Sequence, residues 1–161
     1  AVTAALSFII SIILTIRLYY WHVPGLWAVS FLWSLYLGLA VIALGFAMLS
    51  LAYFIDRLHY LGIHALAYGG IGLITFSMMC RVALGHTERN VNAKYKILDL
   101  ALISFVLGVI FRVIFPLVFP DSARAGMMIS QVFWIFSYVT YLWFYYPILT
   151  QKNLVVPLVK N

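Results

Sequence analysis

The chain has 161 residues, of which 66% are hydrophobic and only 9% charged, and its net charge is +6. With a mean hydropathy of +1.08 it exceeds what a water-soluble domain can hide, so the fold class is an all-α polytopic membrane bundle. One cysteine excludes an internal disulfide and any cysteine-based zinc or iron–sulfur centre made by this chain alone. No contiguous basic patch is present, so nucleic acid is excluded as a partner. The partner the composition demands is the lipid bilayer.

A membrane span needs about 20 predominantly apolar residues. Five such stretches occur in chain order, forming a single transmembrane domain over 1–161. The first covers 1–20 and ends in "IRLYYWH". The second covers 26–54, between "VPG" and "DRLH". The third covers 60–84 and runs into "LGHTER". The fourth covers 97–119, after "NAKYK". The fifth covers 123–149, between "PDSARA" and "TQKN". Pro24, Pro120 and Pro157 fall in connections, whereas Pro116 lies inside the fourth span and is expected to kink it or end it early. Tyrosine and tryptophan gather near span ends, where interfacial rings belong.

Five spans place the termini on opposite sides. Arg17, Arg81, Arg89, Lys94, Lys96, Lys152 and Lys160 collect on one side. The other side holds Arg57 and Arg124, with Arg112 near it. The positive-inside rule makes the first side cytoplasmic, so the N-terminus is expected outside and the C-terminus inside. A chain that starts with an apolar span from outside, with no basic segment ahead of it, is expected to be the C-terminal part of a longer protein.

The third span carries the densest chemistry. Read as a regular helix, it sets His64 and His86 on one broad face. At 1.5 Å per residue they are about 33 Å apart, so they cannot share one metal ion. Imidazole suits copper and haem iron, and the soft side chains of Met78, Met79 and Cys80 suit Cu(I) or simply fill a core. Ala65, Gly69 and Gly72 form a small-residue stripe, which lets a backbone or a flat cofactor approach closely. Arg81 and Arg112 are costly near hydrocarbon and call for partners. Asp99 opens the fourth span on the side where Arg81 closes the third, so these two are expected to be neighbours. Arg112 either reaches the outer surface or holds an anion. The hydroxyls of the fifth span are further candidates for its company. No catalytic triad, Walker loop or dinucleotide-binding glycine pattern occurs, which leaves hydrolases and nucleotide enzymes without support.

The stretch "HALAYGGIGLITFSMMCRVALGHTER" resembles the signature of the NnrS family. The matching positions are His64, Ala65, Leu66, Gly69 or Gly70, Ile71, Gly72, Met78, Met79, Arg81, Val82, Leu84, Gly85, His86, Thr87 and Arg89. "FRVIFP" in the fourth span and "FWIFSYVTYLWFYYPIL" in the fifth agree with it. The resemblance is to the C-terminal part of the family, whose N-terminal His-x-x-Glu-Met signature has no counterpart here. Where the pattern ordinarily has glycine after His-Thr, this chain has Glu88. The resemblance implies a bacterial inner-membrane protein associated with haem and copper and with the response to nitric oxide, nitrosative stress and denitrification. It carries His64 and His86 over as ligand candidates. Haem and copper are expected for the full-length protein and not for this chain alone, whose small-residue stripe is expected to face missing N-terminal helices, lipid or a second copy. The other reading that the residues allow is a helical transporter or structural bundle with no bound metal.

Overall fold

The computed structural model describes residues 1–91, 93 and 95–150; Lys94, Lys152 and Lys160 of the charge count lie outside the described residues. Five helices are long and apolar enough to cross a membrane: α1 (Val2–Trp21), α2 (Ser30–Leu51), α3 (Arg57–His86), α4 (Lys96–Val118) and α5 (Ala123–Thr150). Each falls on one of the five apolar stretches, with ends moved by a few residues. Among the described residues there is no strand. In a bilayer only a helix satisfies its own backbone, so an apolar stretch of this length has no other stable form.

Successive helices pack as neighbours, and α3 also reaches α5. Glycines set the closest approach. On α2, a Cβ at Gly45 would lie 2.8 Å from the Leu66 side chain and 3.2 Å from the Gly62 carbonyl oxygen. Gly38 and Gly70 face each other across the same seam. Such contacts replace the hydrophobic drive that is missing between helices in lipid.

Serine and tyrosine hydroxyls tie the helices pairwise. Ser11 donates to the Ala43 carbonyl at 3.0 Å, linking α1 to α2. The buried Ser34 and Ser77 hydroxyls share a hydrogen bond of 2.7 Å between α2 and α3. Ser137 donates to Ala101 O at 3.0 Å and Ser104 to Phe133 O at 3.1 Å, joining α4 to α5. Tyr145 donates to the Cys80 carbonyl at 2.6 Å, joining α5 to α3. Between these ties a buried aromatic stack, Phe76 on Phe105 with Tyr138 at its edge, fills the centre.

Two helices are not regular. Ala65–Gly72 of α3 and Ile110–Ile114 of α4 are π-helical. The second lies just ahead of Pro116, which has no N–H to give the carbonyl four residues back. The Phe115 N–H bonds to Ile110 O, five residues back, and the helix runs on to Val118. The fourth span therefore absorbs its proline in a π turn and is not cut short.

Candidate functional site

The two π turns touch each other, and polar groups collect around them. On α3, Tyr60, His64 and Tyr68 recur every four residues, so a helix sets them in one line. Tyr68 comes from the π turn of α3 and Arg112 from that of α4. The Arg112 Cζ lies 5.5 Å from the Tyr68 ring centroid, within cation–π range. Gly108 supplies the room: a Cβ there would collide with the Tyr68 hydroxyl.

α5 closes the cluster. Arg112 Nη1 donates to Ser130 Oγ at 3.3 Å, and the Tyr68 hydroxyl donates to the Ser130 carbonyl at 2.9 Å. Ser130 is fully buried and its own hydroxyl donates to Met127 O at 2.7 Å. The Tyr60 ring lies on the His64 imidazole, with centroids 4.1 Å apart, and its hydroxyl donates to the Met127 sulfur at 3.1 Å. Two buried nitrogens of this cluster have no partner: His64 Nε2 and Arg112 Nε. No carboxylate pairs with Arg112 among the described residues. Buried polar groups are ordinarily satisfied, so two unpartnered nitrogens in one cluster stand out.

The remaining sequence candidates lie elsewhere. His86 is exposed at the far end of α3, with Arg81 also exposed. Met78 and Met79 are exposed, whereas Cys80 is fully buried and its carbonyl serves Tyr145. The chain does not bring His64 and His86 together, and no group of three or more His, Cys, Asp or Glu that could hold a metal occurs among the described residues.

Two expectations are corrected here. Asp99 does not pair with Arg81: its Oδ1 accepts a hydrogen bond from Ser30 on α2, and neither residue forms an ion pair among the described residues. A shared side of the membrane suggested the pair, yet Arg81 is exposed while Asp99 turns toward the start of α2. The glycines of the small-residue stripe lie against helices of the same chain. Ala65 is fully buried, Gly69 lies against Val41 of α2 and Val109 of α4, and Gly72 against Phe105 of α4.

The sequence singled out His64 and Arg112 and offered the hydroxyls of the fifth span, which include Ser130, as company for Arg112, but it did not point to Tyr60 or Met127. The four-residue spacing of Tyr60, His64 and Tyr68 was a legible signal. Which residues of α5 contribute was not, because that depends on which face α5 turns inward.

Fold and site together define a five-span helical membrane protein with a half-buried imidazole and guanidinium in one half of the bundle. The NnrS family profile, described as NnrS protein, matches residues 1–153, and the chain belongs to that family. Membership associates it with the response to nitric oxide. Neither the curated proteins nor the solved structures contain a match to the chain.

Proposed function

We propose that this chain is the haem- or copper-associated part of a bacterial inner-membrane protein of the nitric oxide response, and that His64 is its ligand residue. The observation that carries the reading is the unpartnered, buried Nε2 of His64 beside the unpartnered Nε of Arg112. A free imidazole nitrogen is a ligand for haem iron or copper. A guanidinium N–H beside it suits a carboxylate such as a haem propionate. The residues would supply one imidazole donor and one charge partner, and among the described residues no group of three or more His, Cys, Asp or Glu occurs that would close a copper site. Haem would supply a redox-active iron that binds diatomic gases. His64 would hold that iron, and Tyr60, half exposed and packed against the imidazole, would orient the ring. His86 remains the second ligand candidate, on the opposite side of the membrane.

The N-terminus is placed outside and the C-terminus in the cytoplasm. This rests on Arg17, Arg81, Arg89 and Lys96 at one set of helix ends and connections, against Arg57 and Arg124 at the other. The test of the ligand assignment is an absorption spectrum with metal analysis of the purified full-length protein. A Soret band lost in His64→Ala and kept in His86→Ala is expected. A band insensitive to His64→Ala overturns the assignment. Absence of haem and copper from the wild type favours the metal-free bundle, in which Arg112 has only Tyr68 and Ser130 as company.

A further inference from the structure

At the other end of the bundle, a cavity of about 380 Å³ opens between the start of α2 and the start of α4. Its lining is Trp27, Ala28, Ser30, Trp33, Asp99 and Ile103. Two indoles, one carboxylate, one hydroxyl and two aliphatic side chains make up this wall, and no basic side chain joins it. Trp27 belongs to the helical turn Leu26–Ala28 that connects the first two spans, and it is 55% exposed. Asp99 sits in the first turn of α4, where a helix N-terminus favours an anion. Its Oδ1 takes the Ser30 hydroxyl, and Oδ2 has no partner among the described residues.

Helix-dipole stabilisation accounts for a carboxylate in that turn but not for two tryptophans beside it. A carboxylate and two indoles lining one cavity suit a cation with apolar substituents, through the charge of the one and the ring quadrupoles of the others. A hard divalent metal is not suited, because one carboxylate and one hydroxyl fall far short of six oxygen ligands. The volume lies in the range of small-ligand pockets. The position, in the connection between two spans, is headgroup level, where tryptophan is at home.

We propose that this cavity binds an organic ammonium group, with Asp99 as counter-ion and Trp27 and Trp33 as its aromatic walls. The ammonium is carried either by an aminophospholipid headgroup or by a small soluble amine. Native mass spectrometry of the full-length protein in detergent, with phosphatidylethanolamine or phosphatidylglycerol of identical acyl chains, tests the lipid source. Thermal unfolding in tetramethylammonium chloride against sodium chloride at equal ionic strength tests the soluble source. Preferential retention of the ethanolamine lipid, on the order of tenfold, lost in Asp99→Asn and weakened in Trp27→Ala, establishes the lipid source. A melting temperature raised by tetramethylammonium in the wild type alone establishes the soluble source. Absence of both preferences in the wild type, or their survival in Asp99→Asn and Trp27→Ala, overturns the proposal.

Discussion

Arg112 and Tyr68 meet across two π turns, with the guanidinium carbon 5.5 Å from the ring centroid and Ser130 beneath both. An arginine within a membrane bundle is expensive, and this arrangement offsets the cost with one hydrogen bond to a neutral hydroxyl and one ring face. Tyr68→Phe keeps the ring and deletes only the hydroxyl that serves Ser130 O. It is expected to lower stability by about 1 kcal/mol. Tyr68→Leu removes the ring as well and should cost measurably more. Thermal unfolding in detergent decides; equal effects of the two variants would show that the ring face contributes nothing to holding Arg112.

The glycines of α3 separate tight contacts from free space. A Cβ at Gly69 would lie 2.5 Å from Val41 Cγ1 and 3.0 Å from Val109 Cγ1, pinched between two helices. Gly69→Ala is therefore expected to destabilise by about 1–3 kcal/mol, since both neighbours are β-branched and cannot turn aside. Gly85, on the same helix, has nothing within 4 Å of its Cβ position. Gly85→Ala should be neutral or stabilising by up to about 1 kcal/mol from helix propensity. The pair is compared by melting temperature. A Gly69→Ala variant as stable as wild type would mean that α2 and α4 do not press on that face.

Ser30 and Asp99 give a third test, because the sequence pointed to Arg81 instead. A hydrogen bond to a charged group contributes about 1.5–3 kcal/mol. Ser30→Ala should therefore lower the melting temperature clearly, whereas Arg81→Gln, at an exposed residue without an ion pair, should leave it unchanged. A loss with Arg81→Gln and none with Ser30→Ala would restore the pairing that a shared side of the membrane suggested.

These cases show what could be read in advance. All five spans were legible because lipid admits only long apolar helices, and Arg112 stood out because charge there is costly. Lateral arrangement was not legible. In a bundle that is apolar on all sides, hydrophobic periodicity no longer marks the inner face, so the turn of Ser130 toward Arg112 and of Asp99 toward Ser30 had no sequence signature. The π turns shifted the geometry further. Ala65–Gly72 breaks the regular period on which His64 and His86 were placed on one face. Of the stripe formed by Ala65, Gly69 and Gly72, the two glycines lie against α2 and α4 of the same chain.

The end of α3 supplies the last prediction. The helix stops at His86 with Thr87 as its cap, and the chain then turns through Glu88, whose φ is +56°. The Glu88 N–H bonds to Gly85 O at 3.2 Å and the Arg89 N–H to Leu84 O at 3.0 Å. That pair of bonds is the Schellman arrangement, which requires a left-handed residue at the first position past the cap. Among the described residues Glu88 is the one non-glycine residue with positive φ. A side chain there is strained by about 1–2 kcal/mol because its Cβ crowds the following carbonyl. The family pattern has glycine at this position, and the backbone explains why: the turn needs left-handed freedom, and here a glutamate makes it under strain. Glu88→Gly is expected to raise stability by about 1 kcal/mol, after the entropy that glycine loses on folding is subtracted. Glu88→Ala is the control, since it removes the carboxylate, keeps the Cβ and should bring no such gain. Thermal unfolding of the three proteins side by side separates the causes. If alanine stabilises as much as glycine, the carboxylate near a helix C-terminus was the burden and the backbone was not.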